Sequence, residues 1–104
     1  MSVIYLPGAM RDLRGIALWY TKHLPEGEAR FFARLRETLG RVERAPESFP
    51  LAIESLGVRK ARVLRSAYAV AYMTRPNEVR LVAVIHGARR PGFWLEPVSE
   101  PPTE

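Results

Sequence analysis

The 104-residue chain contains no cysteine. That excludes a disulfide framework, a thiolate metal site and a cysteine nucleophile, and it accords with a reducing compartment. Histidine is almost as scarce. His23 and His86 are the only two, well separated, too few for a metal site built on imidazoles. No apolar run approaches the roughly 18 residues of a membrane span. Met1 to Leu6 is too short for a signal peptide and lacks its basic start. Also missing are a glycine-rich phosphate loop, His-Glu-x-x-His, Gly-x-Ser-x-Gly and a calcium loop. These absences argue against a metal- or nucleotide-dependent enzyme. No metal and no cofactor is expected, and the chain reads as soluble and cytoplasmic.

What is present is an ordinary globular composition, 47% apolar and 26% charged, with enough length for one domain and a modest core. The charge is uneven. Glu96, Glu100 and Glu104 lie in a proline-rich ending with no base among them. With that ending set aside, 16 bases face 8 acids, a body charge of +8, and fourteen of the bases are arginine. Guanidinium binds carboxylate and phosphate in a planar, two-toothed manner that ammonium cannot match. Such a body suits an anionic partner: RNA, DNA or an acidic protein segment. It equally suits a solvated surface rich in arginine, and charge alone does not choose.

Ser2–Leu6 reads as a strand ended by Pro7-Gly8. From Ala9 the period changes: Met10, Leu13, Ala17, Tyr20 and Leu24, widened by Ile16, make an amphipathic helix from Ala9 to about His23. A second helix opens at Pro25-Glu26-Gly27-Glu28 and ends near Arg44. Ala29, Phe32, Leu35, Leu39 and Val42 form its apolar stripe, and Arg30, Arg34, Arg41 and Arg44 lie mostly off it. Ala45–Gly57, with Pro46 and Pro50, is a loop. Three strands follow, Val58–Arg65, Tyr68–Arg75 and Val79–His86. Alternation along the last predicts faces of Val79, Leu81, Ala83, Ile85 and of Arg80, Val82, Val84, His86. Short turns between these strands imply an antiparallel meander. The fold class is therefore α+β, β-α-α-β-β-β, a two-helix hairpin packed on one face of a small twisted antiparallel sheet whose other face is partly open. The domain spans 1–95, and 96–104 is a proline-rich acidic flexible tail.

The bases gather in two places: Arg59, Lys60, Arg62 and Arg65 on the first meander strand, and His86, Arg89 and Arg90 at the end of the last. An antiparallel sheet can bring these to one rim, where guanidinium groups grip an anion through charge-assisted hydrogen bonds. Each is also explicable as a solvated edge charge that discourages sheet-to-sheet association. His86 has the chemistry of a general acid or base, but no carboxylate stands near it in sequence, and a strand-ending structural histidine is the simpler reading. Phe93 and Trp94 follow a Pro-Gly turn. Either can stack on a base or anchor a protein contact, and either can cover the sheet edge.

The ordered motifs resemble the RelE/ParE toxin superfamily of type II toxin–antitoxin systems. They are Ala9-Met10-Arg11-Asp12-Leu13-Arg14-Gly15-Ile16 with Trp19-Tyr20; Ala29-Arg30-Phe31-Phe32 with Leu35, Leu39 and Pro46; Gly57-Val58-Arg59 and Tyr68-Ala69-Val70-Ala71-Tyr72; and Val82-Ala83-Val84-Ile85-His86 with Arg89, Pro91 and Trp94. The last run is similar to a ParE-side ending. Two departures stand out: Ser66-Ala67-Tyr68 where the family often has Phe-Pro-Tyr, and Arg89-Arg90-Pro91 where it often has Arg-Asp-Pro.

The resemblance to the ParE-like branch implies inhibition of DNA gyrase by protein contact, with neutralisation by a cognate antitoxin through an acidic, partly helical segment. It also implies roles in plasmid stabilization and growth arrest. The target- or antitoxin-binding residues would be Arg59, Arg62, Arg65, His86, Arg89, Arg90, Phe93 and Trp94. The RelE-like alternative is a metal-free endoribonuclease acting on ribosome-bound mRNA, with Arg62, Arg65, His86 and Arg89 at its centre. A third reading is a relative that has lost its poison and only binds its antitoxin.

Overall fold

The computed structural model describes residues Ser2 to His86. The acidic ending and Arg89, Arg90, Phe93 and Trp94 lie outside the described residues. The elements are β1 (Ser2–Tyr5), α1 (Pro7–His23), α2 (Pro25–Arg44), β2 (Leu51–Ile53), β3 (Val58–Arg62), β4 (Tyr68–Arg75) and β5 (Glu78–His86), with 3₁₀ turns at Pro46–Ser48 and Glu54–Leu56.

Both helices begin on proline, whose missing N–H costs nothing at the first helical position. Helix α1 thus starts at Pro7, two residues earlier than expected. Leu24 alone joins the helices: its N–H donates to the Tyr20 carbonyl at 2.8 Å, and Gly27 N–H donates to the Leu24 carbonyl at 2.8 Å. Gly27 makes the tight crossing possible. A Cβ there would stand 2.9 Å from Tyr20 Cε1, closer than carbon atoms tolerate.

The sheet order is β1-β5-β4-β3-β2. The β5-β4-β3 meander is antiparallel as expected. Strand β1, however, lies parallel to β5, from Ser2 beside Glu78 to Tyr5 beside Leu81. The helical hairpin is the long crossover that a parallel neighbour requires. The sheet also gains a fifth strand, because Leu51–Ile53 within the expected loop pairs with β3.

The helices cover one face. Phe31, Leu35, Leu39 and Val42 of α2 and Ala9 and Ile16 of α1 pack on Val70, Tyr72, Val79, Leu81 and Val84. Both stripes are rotated slightly from the sequence reading. Met10, Leu24 and Ala29 are exposed, and the buried places fall to Ala9 and Phe31. Thr38, fully buried, donates to the Arg34 carbonyl at 2.9 Å and accepts from Leu64 N–H at 3.3 Å, tying α2 to the β3–β4 turn.

Alternation along β5 fails at one point. Ala71 pairs with Ala83 but Tyr72 with Leu81, so Val82 is an extra residue and the register slips. Beyond it Val84 joins the helix side, while Ala83 and Ile85 join Val58, Ala69 and Ala71 in a second cluster on the opposite face. The expected faces of β5 are therefore exchanged beyond Val82. The opposite face is less open than expected, since these five residues are at most 3% exposed.

Candidate functional site: an arginine-lined cleft

Where the helical turn meets the β3–β4 turn, the structure has a half-open cleft of about 350 Å³. Its walls come from Trp19, Tyr20 and Leu24 of the hairpin, Gly27, Arg30, Phe31 and Arg34 of α2, Arg65 to Tyr68 of the turn, and His86. The helical positions follow from spacing. Phe31 faces the core, and Arg30 and Arg34, four residues apart, flank it along one side of the helix.

The rings form a continuous chain of contacts. Trp19 meets Tyr20 edge-on at 5.2 Å, Tyr20 meets Phe31 at 5.7 Å, Phe31 meets Tyr68 edge-on at 5.4 Å, and Tyr68 meets His86 edge-on at 5.4 Å. The His86 contact is a cross-strand one, because Tyr68 and His86 are paired on β4 and β5. His23, in the last turn of α1, lies outside the cleft, stacked on Trp19 at 4.9 Å.

The β3–β4 turn is tightly held. Ser66 N–H and Oγ both donate to the Val63 carbonyl, at 3.2 and 3.1 Å, and Ser66 Oγ accepts from Tyr68 N–H at 3.0 Å. Arg65 occupies the left-handed region with φ +53°, and Arg34 Nη1 donates to its carbonyl at 3.0 Å. A left-handed conformation favours glycine or asparagine, so arginine at this position strains the turn.

Among the described residues no carboxylate lines the cleft. Among them, too, the one ion pair is Arg80 with Glu78, 2.6 Å, at the start of β5. The cleft therefore concentrates positive charge beside aromatic surface. Among the described residues no group of three potential metal ligands lies together, and no helix is long and apolar enough to cross a membrane.

Of the residues expected to share one rim, the structure brings Arg65 and His86 into the cleft. Arg59 serves the loop instead. On the helix side of β3, opposite Tyr72, it donates from Nη1 to the Phe49 carbonyl at 2.6 Å. Arg62 pairs with Ala69 on the opposite face and donates from Nε to the Ser66 carbonyl at 3.2 Å. The odd and even positions of one strand point to opposite faces, so Arg59 and Arg62 cannot both border a single site.

Arg30 and Arg34 do not emerge from the sequence as site residues, where they only lie mostly off the apolar stripe. Asp12 does not emerge either. This carboxylate, half-buried on α1, accepts Val84 N–H at 3.0 Å just past the register slip. Burial raises its pKa above the ordinary 3.8, with the Val84 hydrogen bond and Arg11 opposing that rise. The signal was legible: Asp12 stands between Ala9 and Ile16 at helical spacing, an acid on a buried stripe.

Comparison with known proteins agrees with this architecture. No curated protein sequence matches the chain. A structure described as "Chromosomal ParDE TA system from P. aeruginosa" superposes with a TM-score of 0.70 at 18% identity, covering 83% of this chain and 95% of that one. At that identity the likeness speaks for the fold. The sequence over residues 3–91 matches the family model "ParE toxin of type II toxin-antitoxin system, parDE". With nearly the whole chain matched and the fold in agreement, the protein belongs to the ParE toxin family, the ParE-like branch of the RelE/ParE superfamily.

Proposed function

We propose that the chain is the toxin of a type II pair, that it arrests growth by inhibiting DNA gyrase through protein contact, and that a cognate antitoxin neutralises it in the cytoplasm. Family membership supports the toxin role. The observation that carries the mode of action is the composition of the cleft. It offers guanidinium groups and aromatic faces, with no carboxylate among the described residues that line it. Such a surface is equipped for recognition, whereas acid–base catalysis draws on two groups of matched and opposite roles. Arg65 and His86 are the proposed contact residues.

The juxtaposition of Arg65 and His86 is also what a metal-free ribonuclease would use, with arginine stabilising charge on a phosphate attacked by a ribose hydroxyl. One experiment separates the two. Purified protein is added to a gyrase supercoiling reaction and, in parallel, to translating ribosomes with a defined message. The expected outcome is loss of supercoiling with the message intact. Cleavage of the message that disappears in His86→Ala or Arg65→Ala would refute the proposal in favour of the nuclease. Expression without arrest of growth would point to a relative that only binds its antitoxin.

A further inference from the structure

The register slip in β5 decides which side chain enters the cleft. Tyr72 pairs with Leu81 but Ala71 with Ala83, so every partner beyond Val82 is displaced by one residue. His86 therefore stands beside Tyr68, on the side of Phe31 and the helices, and lines the cleft. In regular pairing Tyr68 would meet Ile85, and His86 would turn to the opposite face, because a slip of one residue exchanges the two faces of a strand. Of the proposed contact pair, Arg65 alone would then remain in the cleft.

The apolar pattern does not select the slip. The slipped register puts Val84 on the helix side and Ala83 and Ile85 on the other. The regular one would put Ala83 and Ile85 on the helix side and Val82 and Val84 on the other. Both bury aliphatic side chains on both faces, and a strand apolar on both faces specifies its register weakly. The backbone does distinguish them. The Leu81 carbonyl accepts Leu6 N–H at 3.0 Å, so the polar groups of Leu81 point toward β1. These groups alternate sides along a regular strand, which would aim Val84 N–H at β4. The slip reverses the alternation beyond Val82. Val84 N–H then points past the last β1 pair, Tyr5 with Leu81, and Asp12 Oδ2 accepts it at 3.0 Å. Gly8, one turn earlier on the same face of α1, lies against the Val82 carbonyl itself.

We infer that Asp12 is the positioning residue for His86: by accepting the Val84 N–H, which only the slipped register presents to α1, it selects that register and so turns the imidazole into the cleft. Its effect passes through β5, since Asp12 does not itself line the cleft. This rests on the reading that His86 is a contact residue for gyrase, and it adds the residue that puts His86 there.

The test compares the full chain with Asp12→Leu, Asp12→Asn, a deletion of Val82, and that deletion combined with Asp12→Leu, each labelled with ¹³C and ¹⁵N. Nuclear Overhauser contacts to the Tyr68 ring report the register, and inhibition of gyrase supercoiling by the same samples reports its consequence. The parent is expected to show contacts from the His86 ring. In Asp12→Leu they are expected to pass to the Ile85 methyl groups, with inhibition weakened about tenfold, the scale of losing one buried interface contact. Asp12→Asn retains an oxygen acceptor and is expected to keep the His86 contact and the parental inhibition. Deleting Val82 removes the extra residue, so regular pairing itself puts His86 beside Tyr68. Asp12→Leu is expected to leave both readouts unchanged in that background. A folded Asp12→Leu chain whose Tyr68 ring still meets His86 overturns the inference. So does collapse of both chains that carry Asp12→Leu, because the core would then need Asp12 whatever the register. Collapse of Asp12→Leu alone, restored by the deletion, supports it. His86→Ala is scored separately: inhibition equal to the parent refutes the contact role of His86 and leaves the register result standing.

Discussion

At the scale of single residues, Arg65 and Tyr72 show how similar-looking positions divide between function and architecture. Arg65 sits at φ +53° in a turn already closed by Ser66 and Arg34. Glycine meets that conformation without strain, and a non-glycine residue there costs on the order of 1 kcal/mol. Arg65→Gly is therefore expected to raise stability in urea unfolding by up to about that amount while weakening gyrase inhibition. A variant that is both less stable and fully inhibitory would reassign Arg65 to the turn alone. Tyr72 is the converse case. It is fully buried, and its hydroxyl donates to the Pro46 carbonyl at 2.5 Å, holding the loop that Arg59 also grips. Burial pushes its pKa up to about 12, against the small opposing effect of Arg59. The folded state thus keeps a proton that the unfolded chain releases near pH 10, and stability falls as pH rises from about 10 to 12. Tyr72→Phe is expected to flatten that alkaline fall and to cost roughly 1–3 kcal/mol at neutral pH, since the Pro46 carbonyl loses its donor. Unfolding curves across pH 9–12 check both effects.

At the scale of elements, the helices, the α+β class and the antiparallel meander were legible because each rests on periodicity, which the order of apolar and polar residues displays directly. Three features were not. The β1–β5 pairing is parallel, and nothing within Ser2–Tyr5 distinguishes a parallel from an antiparallel strand. Leu51–Ile53 is a three-residue edge strand, too short to show alternation. The register slip at Val82 involves no glycine or proline, so a run of β-branched residues read as regular when its second half had changed face. That slip explains Asp12. The α1 carboxylate receives the Val84 N–H just beyond it, and Gly8 permits close approach there, since a Cβ at that position would lie 3.2 Å from the Val82 carbonyl. Because burial raises the Asp12 pKa, the folded state binds a proton more readily than the unfolded state does. This group's contribution is greatest below pH 3.8 and declines as pH rises through its elevated folded value. Asp12→Asn keeps an oxygen acceptor without the charge. It is expected to remove that acid-side decline, visible as a flatter stability profile through the carboxylate range. Asp12→Leu leaves the Val84 N–H without an acceptor and is expected to cost about 1–3 kcal/mol.

At the scale of the whole molecule, the candidate site was half legible. The basic body predicted an anionic partner, and Arg65 and His86 were expected at one rim and do share one cleft. The other half came from α2, because Arg30 and Arg34 acquire meaning only when the β3–β4 turn is folded against them. Charge counted along a chain does not reveal which charges share a recess. This distinction has a kinetic consequence. A body charge of +8 acts over several ångströms and steers any acidic partner, whereas the cleft arginines act at contact. Association of the cognate antitoxin should therefore slow as salt rises from low to physiological strength, where the screening length is about 8 Å, in the parent and in Arg65→Gly alike. Dissociation should differ: faster in Arg65→Gly at every salt concentration, because a contact is missing, while the slope of the association rate changes little. Stopped-flow measurements over a salt series separate the two rates. If Arg65→Gly altered only the association rate, Arg65 would belong to the general positive field of the molecule, and the cleft would lose its claim to specific recognition.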